Sequence, residues 1–383
     1  MNQIQKKQLK RFNDFISNKW NTIFVVVTTI TLLLIFLLTT FYKDKLEYSI
    51  NGYNKFELNH NGMNVYYLDV GQGDCTFIEF KDGKTMLIDS GTSDGSKQLI
   101  NILVNDIFLG KNLVIDYVIL THSDLDHSGG MLDIMNVFSV NYVFRPRIYD
   151  CYENDYQDKS RDENISSKTL DLQDNYYHNL IQSFYNEKNC TVYFTDKDVC
   201  NEFFETREEN FNFYFPYSDF YSSTTNDYSP IFTVNYENKV FMFTGDTNLE
   251  IEREVVSSYD LEKVDFLKVA HHGSKNGTSE ELLNEITPKN SIISVGKNSY
   301  GHPTWQVLNR LSMNNCNVYR TDKLGSIIVN VTNDNVSVKN VRFDKFYINI
   351  AYFNFGLIYY YIFVFFMFLK KRVFLMLVGT GYY

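Results

Sequence analysis

The decapeptide THSDLDHSGG, residues 121–130, places two histidines and two aspartates within six positions. Charged carboxylates held this close repel one another, and a bound cation is the simplest group that relieves the repulsion. A solvated polar turn is the plainer alternative, and an EF-hand calcium loop is a sharper one. An EF-hand loop needs a glutamate at its twelfth position, where this sequence has Met135. The predicted metal ligands are therefore His122, Asp124, Asp126 and His127.

The elements around this loop decide where its side chains point. The run DYVILT before it, residues 116–121, has the Val/Ile-rich composition of a buried strand. Alternate residues of an extended segment point the same way, so His122 and Asp124 are expected to face one ion. Asp126 and His127 then turn toward a second ion. The glycines of Ser-Gly-Gly permit a tight bend into the following helix.

Short β-type runs on both sides of the loop predict a sheet-based fold. Strands are predicted in NVYYLDV, CTFIEF, TMLIDSG, DYVILTH, FNFYFP, SPIFTVNYENKVFMFTGD (with a turn at Glu237-Asn238), DFLKVA, SIISVG, NVYRTD and GSIIVNVT. Helices are predicted over residues 94–108 and 176–187. Strands that feed polar loops fit an α/β sandwich. The polar segment 150–212 is interpreted as a surface insertion.

The composition separates the ends of the chain from its centre. The net charge is -10, and the basic clusters within residues 1–20 and at 370–372 contribute +4 and +3, so residues 43–345 carry -17. An acidic surface does not attract polyphosphate backbones over long range, which counts against tight, non-specific nucleic-acid binding. Five scattered cysteines without a CxxC spacing indicate neither a zinc knuckle nor a disulfide framework, and one Cys190–Cys200 bridge stays open.

Two uncharged apolar runs predict transmembrane helices. Residues 22–42 are long enough to span about 30 Å of hydrocarbon, and they do not end in the small residues of a signal-peptide cleavage site. Residues 346–369 form a second, aromatic-rich candidate, for which an aromatic strand or an interfacial segment is the alternative. Basic residues precede the first run and follow the second, which places both termini in the cytoplasm and everything between them on the far side.

THSDLDHSGG resembles the HxHxDH metal motif of the metallo-β-lactamase superfamily, with Asp124 in place of the middle histidine. In this replacement it resembles the metallo-β-lactamase domain of the ComEC competence protein family. Further segments resemble that domain in the same order: LDVGQGDCTFI (68–78), MLIDSG (86–91), NDYS (226–229), FTGD (243–246), KVAHHGSKNGTS (268–279) and SVGKNSYGHPT (294–304). The resemblance covers residues 63–330 and implies a four-layer αββα sandwich.

The resemblance also implies roles for side chains outside the first loop. Asp246 is expected to bridge two metals, and His302 is expected to be the last ligand. His271 and His272 follow the strand run DFLKVA. Because adjacent strand residues point to opposite faces, at most one is expected to enter the site, and His272 is favoured as a catalytic residue beside Asp126. The expected substrate-binding residues are His271, His272, Ser229 and Asn226. The expected supporting residues are Asp69, Asp74 and Asp89.

The implied reaction is hydrolysis by a metal-bound hydroxide, with one or two divalent ions, Zn²⁺ or Mn²⁺, as cofactors. His272 would contact a phosphate oxygen or protonate the leaving group. The ComEC-like pattern implies a phosphodiester substrate, with DNA as one candidate. Two alternatives stay open: an esterase for cell-surface phosphorylcholine or teichoic-acid-type phosphodiesters, and a non-catalytic membrane-anchored binding module with a degenerate metal site. The membrane is the expected partner, and no protein partner is evident.

The predicted organisation has six segments. A basic cytoplasmic tail (1–21), a transmembrane helix (22–42) and a linker (43–62) precede the hydrolase domain. The hydrolase domain covers 63–340 and includes the insertion at 150–212. The second predicted span (346–369) and a cytoplasmic tail (370–383) follow it.

Overall fold

The computed structural model describes residues 61–341 except 111, 151–169, 208 and 334, together with residues 3, 6, 7 and 10. Both predicted spans and most of the linker lie outside the described residues, so these assignments stay predictions. Within the described part, no helix is both long and apolar enough to cross a membrane. Lys55–Arg342 form one structural unit, and this unit contains every predicted site residue.

The described strands form two large sheets and one small one. In chain order they are β1 (Met63–Tyr67), β2 (Thr76–Glu79), β3 (Thr85–Ile88), β4 (Val114–Ile119), β5 (Ser139–Arg145), β6 (Ile148–Asp150), β7 (Leu170–Leu172), β8 (Thr191–Phe194), β9 (Asn210–Phe215), β10 (Ile231–Tyr236), β11 (Lys239–Phe243), β12 (Phe266–Lys268), β13 (Asn290–Ile293), β14 (Asn317–Arg320), β15 (Ser326–Thr332) and β16 (Asn335–Val341). The first sheet has the order β16-β15-β1-β2-β3-β4-β5-β8, and the second has the order β14-β13-β12-β11-β10-β9. β6 and β7 pair separately.

The described helices connect these strands. They are α1 (Ser93–Asn101), α2 (Leu125–Ser128), α3 (Met131–Val137), α4 (Asn175–Asn186), α5 (Lys197–Phe204), α6 (Leu249–Ser258), α7 (Glu280–Ile286), α8 (Trp305–Met313) and α9 (Thr321–Leu324). α1 continues as a π-helical segment, Ile102–Ile107. The helices α4, α6 and α7 are preceded by the N-cap residues Asp174, Asn248 and Ser279, whose side chains accept backbone N–H groups of the first turn.

The two large sheets pack face to face through their apolar sides. Phe232 and Phe243 of the second sheet stack with ring centroids 5.0 Å apart, and Tyr67 of the first sheet lies 6.3 Å from Phe243. The helices α6, α7 and α8 cover the outer face of the second sheet. On the outer face of the first sheet, the ring of Phe77 in β2 packs against the ring of Phe108, which follows the π-helical segment, with centroids 5.6 Å apart. The predicted four-layer αββα sandwich is confirmed.

Parallel strands bring the motif loops to one edge of the sandwich. β3, β4 and β5 are parallel neighbours in the first sheet, and β11, β12 and β13 are parallel neighbours in the second. Asp89 and THSDLDHSGG follow β3 and β4, while Asp246, HHGS and GHP follow β11, β12 and β13. Because ligand-binding loops gather at the carboxyl ends of such strands, this topology explains how distant motifs can meet.

Part of the segment interpreted as a surface insertion, 150–212, belongs to the core instead. β8 pairs in parallel with β5 at the edge of the first sheet, and α5 buries Cys200 and Phe204 between the sheets. The four-residue run TVYF, strand β8, is too short to show a hydrophobic period, so the sequence did not predict this strand. Cys190 and Cys200 are free thiols, so the bridge that the sequence left open does not form.

Candidate metal centre

His127 is oriented by the loop that follows β3. Asp89 has a left-handed backbone (φ 57°) and accepts the Thr121 backbone N–H at 2.8 Å and the Thr121 hydroxyl at 2.7 Å. Its Oδ2 also lies 2.7 Å from Nδ1 of His127. A carboxylate on one imidazole nitrogen fixes the tautomer and the ring orientation. The buried His127 therefore directs Nε2 away from Asp89 and toward the other motif loops.

Imidazole and carboxylate groups converge around Nε2 of His127. This atom lies 3.3 Å from Oδ2 of Asp246 and 3.3 Å from Nε2 of His272. His272 Nε2 lies 3.3 Å from Oδ2 of Asp126 and 3.5 Å from Oδ2 of Asp246. Asp74, His127, Asp246 and His272 are all buried, and each offers a ligand atom within 4.8 Å of the others. Loops of both sheets thus meet at one point.

Asp74 reaches this cluster from the GQGD turn. Its Oδ1 lies 3.2 Å from Nδ1 of His272, and its Oδ2 lies 2.5 Å from Nζ of Lys268. The Asp74 backbone N–H donates to the Asp126 carbonyl at 3.0 Å. Lys268 is buried at the end of β12 and was not among the predicted site residues. A lysine inside the apolar run DFLKVA was the one available sign of its role.

His122 and Asp124 lie next to this cluster. Nε2 of His122 is 4.0 Å from Oδ2 of Asp124. Ser229 Oγ lies 3.3 Å from Nδ1 of His122 and accepts the Asp246 backbone N–H at 3.0 Å. Asp124 accepts a hydrogen bond from the Thr225 hydroxyl at 2.5 Å. Ser229 therefore contacts both the first motif and the fourth; its expected role in substrate binding stays a prediction.

The two histidines of HHGS do not continue strand β12, so the prediction that they point to opposite faces of a strand is wrong. β12 ends at Lys268, and His271 and His272 both have positive φ angles, 48° and 52°. Consecutive left-handed residues turn the chain sharply. His272 is buried in the cluster, while His271 is 31% exposed and places Nε2 3.8 Å from Oδ2 of Asp246. Both imidazoles therefore border the site, whereas the sequence predicted that at most one of them would.

His302, expected as the last ligand, lies outside the four-residue cluster. Asn298 holds its backbone by accepting the His302 N–H at 3.0 Å and donating to the His302 carbonyl at 2.9 Å. The His302 ring lies 5.7 Å from the rings of His271 and Tyr300. Within the described residues, its buried Nδ1 has no hydrogen-bond partner. His272 therefore lies where His302 was expected, beside Asp126 and His127.

Two further predicted residues shape the loops around the site. Asp69 accepts the Gly71 N–H at 3.1 Å, and its own N–H donates to Ser326 Oγ at 2.9 Å. Asn226 begins a 3-10 turn and accepts the Thr225 hydroxyl at 3.3 Å. The first set of contacts fixes the GQGD turn, and the second fixes the loop that holds Asp124.

The electrostatics of the cluster follow from its packing. Burial alone would lower the pKa of His272, but Asp246 and Asp74 outweigh it and raise that pKa to about 10. Burial also opposes the charge on His127, yet Asp246 and Asp89 hold its pKa well above the usual range. Burial would raise the pKa of Asp246, but His127 and His272 hold it well below its usual range. A divalent cation bound among these side chains would compete with protons for the same imidazole nitrogens.

The donor set fits a divalent cation. Burial and the neighbouring His127 lower the pKa of His122 to about 4, so its imidazole is neutral. Among the described residues, Nε2 of His122 and Oδ1 of Asp246 are buried without hydrogen-bond partners. Unpaired buried polar atoms are costly, and a cation would give each of them a ligand bond. Mixed imidazole and carboxylate donors suit both Zn²⁺ and Mn²⁺.

Comparison with known proteins identifies the domain. Residues 68–194 match the metallo-beta-lactamase superfamily. The ComE operon protein 3 of Bacillus subtilis is 27% identical over 279 residues, which cover 69% of this chain and 32% of that protein. Recombination protein 2 of Haemophilus influenzae is 27% identical over 276 residues, which cover 72% and 30%. Competence protein ComA of Neisseria gonorrhoeae is 32% identical over 108 residues, 28% of this chain and 16% of that protein.

The fold, the order of the motif loops and the superfamily match define a domain of the metallo-β-lactamase superfamily, a class of metal-dependent hydrolases. Within that superfamily the protein is ComEC-like, as its similarity to the three competence and recombination proteins shows. The chain spans less than a third of the length of the first two relatives, so their activities and partners do not transfer with the similarity.

Proposed function

We propose that this protein is a membrane-anchored, metal-dependent phosphodiesterase. The observation that carries the proposal is the convergence on Nε2 of His272, which lies 3.3–3.5 Å from ligand atoms of His127, Asp126 and Asp246, while Nε2 of His127 and Oδ2 of Asp246 are 3.3 Å apart. Ligands about 2.1 Å from a tetrahedral ion lie about 3.4 Å from one another. Side chains from both sheets are therefore spaced as the ligands of a common ion would be.

In this proposal His127, His272, Asp126 and Asp246 would hold one divalent ion, and His122 and Asp124, together with Asp246, would hold a second. When bound, such ions activate water and stabilise the charge that develops on a phosphate. A mononuclear centre is the alternative, because an oxygen ligand at position 124 changes the first site's preference among metals. The metal's charge also attracts a phosphate to a domain that is itself acidic.

His271 is the side chain best placed to contact the substrate. It is partly exposed, its Nε2 is 3.8 Å from Oδ2 of Asp246, and its ring lies 5.7 Å from that of His302. An imidazole that reaches both solvent and the site can protonate a leaving group. The sequence favoured His272 for this task, but the Nε2 of His272 is buried among the carboxylates. We therefore assign the substrate contact to His271 and His302.

The rim of the site supports a substrate that carries a planar group beside its phosphate. Tyr300 is 72% exposed and Trp305 is 70% exposed, and both belong to the YGHPTW segment, residues 300–305. Leu125 and Tyr221 are also exposed, next to Asp124 and in the loop before Asn226. Exposed aromatic rings stack on the bases of single-stranded nucleic acid. Single-stranded DNA is therefore our first candidate, and choline-phosphate esters, whose cation aromatic rings also bind, are the second.

The proposed location of the domain rests on the sequence. The uncharged runs 22–42 and 346–369 support two membrane spans. Basic residues precede the first run and follow the second, which supports cytoplasmic ends for both. The hydrolase domain between them would then act on extracytoplasmic phosphodiesters, and the membrane would be its partner.

The test is hydrolysis of bis-p-nitrophenyl phosphate by the full chain, with its metal content measured in parallel. We expect turnover that depends on added Zn²⁺ or Mn²⁺ and that Asp246→Asn abolishes. Asp198→Asn is the matched control, because Asp198 is a surface acid with a 70% exposed side chain. A wild-type chain that binds no metal and hydrolyses nothing would instead support a non-catalytic binding module.

Substrate class is tested by comparing the rates at which the two candidates are hydrolysed. Single-stranded DNA and p-nitrophenylphosphorylcholine are offered separately to the metal-loaded chain, and initial rates are compared. Tyr300→Ala and Trp305→Ala should raise KM for the preferred substrate while leaving hydrolysis of the small aryl diester less affected. Faster cleavage of the choline ester would replace DNA by a cell-surface phosphodiester.

A further inference from the structure

Asp74 is close enough to the cluster to be a metal ligand, but its Oδ2 is paired with an ammonium, and its Oδ1, which has no hydrogen-bond partner among the described residues, lies behind the ring of His272. Oδ2 lies 2.5 Å from the buried ammonium of Lys268, and Oδ1 lies 3.2 Å from Nδ1 of His272. Nδ1 is the nitrogen on the opposite side of the ring from the one that faces Asp126 and Asp246. Asp74 therefore approaches His272 from behind, with respect to the centre.

We propose that Asp74 and Lys268 are positioning residues, which hold His272 with Nε2 toward the metal rather than binding the metal themselves. The inference rests on the proposed metal centre but not on the identity of its substrate. Its carrying observation is the chain of buried contacts from Lys268 through Asp74 to His272. All three side chains are at most 7% exposed.

The same arrangement occurs once more in the site. Asp89 lies 2.7 Å from Nδ1 of His127 and is itself anchored by Thr121. Each clustered histidine thus has a carboxylate behind it, and the two rings bring their Nε2 atoms to 3.3 Å. The carboxylates differ in what anchors them: Asp89 accepts from a backbone N–H and a hydroxyl, whereas Asp74 faces an ammonium.

The backbone at His272 explains why it needs this support. His272 has φ 52° and lies in a turn four residues after the end of β12, so the strand does not orient its side chain directly. Its Nδ1 also lies 2.9 Å from the Ser294 carbonyl, so the ring keeps one acceptor if Asp74 is changed. We therefore expect a loss of metal affinity of about 10–100-fold, as for other outer partners of ligating histidines, rather than loss of the site.

Lys268 is what keeps Asp74 facing the ring and not the metal. Its ammonium also donates to the Val269 carbonyl at 2.9 Å, which fixes its own position at the end of β12. Removing one member of a buried ion pair leaves an uncompensated charge, which is strongly destabilising. Replacing both members together avoids this, so the double variant Asp74→Asn/Lys268→Met is the informative one.

The experiment measures Zn²⁺ affinity and stoichiometry of the full chain by competition with a chromophoric chelator. Asp74→Asn/Lys268→Met should bind about 10–100-fold more weakly than wild type, with unchanged stoichiometry and with activity recovered at saturating metal. The matched control is Asp265→Asn/Lys289→Met, a second Asp–Lys pair (2.6 Å) that contacts no cluster residue in the described contacts and should leave affinity unchanged. The unfolding midpoint in chelator, compared among all three, separates positioning from loss of fold.

Two results would overturn the inference. A loss of one equivalent of metal in the double variant would make Asp74 a ligand, and an unchanged affinity would remove its role altogether. If the double variant does not fold, Asp74→Asn/Lys268→Gln also removes both charges but keeps two polar side chains of similar size, and it decides the question by the same two readings. A wild-type chain that binds metal but cleaves no phosphodiester would refute the proposed function and leave this comparison intact.

Discussion

The two sheets contribute to the centre in different ways. The first sheet supplies one continuous loop, THSDLDHSGG, whose ligands follow β4 within eight residues and whose His127 is fixed by Asp89. The second sheet supplies single residues from separate loops, Asp246 after β11 and His272 after β12. The first half is therefore defined by local spacing, whereas the second half depends on how two separate loops turn. This difference explains where the sequence was sufficient and where it was not.

The choice between His272 and His302 as the last ligand is the sharpest test of this comparison. We expect His127→Ala and His272→Ala to lose metal and to reduce kcat/KM by more than about 10³-fold, because each removes a donor to the ion that activates water. His302→Ala should retain its metal and mainly raise KM. Metal analysis and steady-state kinetics on the full chain give all three values.

A different pattern would reassign the second half of the site. If His302→Ala loses metal while His272→Ala retains it, then the ligand set expected from the sequence is right. The wild-type chain and His178→Ala, which changes a histidine of α4 far from the motif loops in sequence, serve as controls.

A smaller effect is expected from the carboxylate of the first half. Asp89→Asn removes the charged acceptor behind His127 but keeps the volume and one acceptor oxygen. We expect metal affinity to fall by about 10–100-fold, because the ring loses its orientation. Chelator competition at fixed pH measures this, and an affinity within threefold of wild type would show that Thr121 and the loop backbone orient His127 without Asp89.

Glycines of the second half allow a test of packing against backbone strain. A Cβ at Gly273 would lie 2.5 Å from Cβ of Pro303, and the residue has φ 82°. Gly301 has a similar φ of 78° with nothing within 4 Å of a Cβ. Gly301→Ala should cost about 1 kcal/mol of unfolding free energy from strain, and Gly273→Ala about 2–4 kcal/mol because overpacking adds to it. Denaturant unfolding in chelator compares them, and equal costs would exclude the clash.

The last prediction depends on pH and concerns Glu252, a buried acid that accepts the backbone N–H groups of Thr278 and Ser279 after the HHGS turn. Burial raises the pKa of Glu252 from its usual 4.5 to about 7, although the N–H groups of Thr278 and Ser279 oppose the shift. Its folded state binds the proton more tightly, so this contribution to stability is full below pH 4.5 and is lost as pH rises through 7. We expect a slope of at most about 1.4 kcal/mol per pH unit in that window, absent in Glu252→Gln.

Chemical denaturation at pH 4.5 to 8, with chelator present, measures that slope. If the free energy of unfolding changes with pH in the same way for wild type and Glu252→Gln, Glu252 is not the source of the slope. Glu250→Gln is the control, because Glu250 is an exposed acid on the same helix.

Sequence reasoning was sufficient wherever a motif directly followed an apolar strand. The runs VIDYVI and KVFMF, strands β4 and β11, point to the loops of His127 and Asp246 because an apolar run that stops at charged residues marks a strand end. The left-handed pair His271-His272 escaped prediction, since only tertiary contacts force non-glycine residues into that conformation. Lys268 escaped for a related reason: its partner Asp74 lies 194 residues earlier, and no local pattern links them.

The pairing of β1 with β15 has a consequence for how the chain is made. Met63 pairs with Val331 and Tyr67 with Ile327, so β1 can find this neighbour only once β15, far later in the sequence, has been synthesised. Contacts so distant in sequence slow folding and leave a strand edge open to wrong partners in the meantime. A truncated chain that stops before residue 326 would carry every proposed metal ligand and still expose one side of β1 to aggregation.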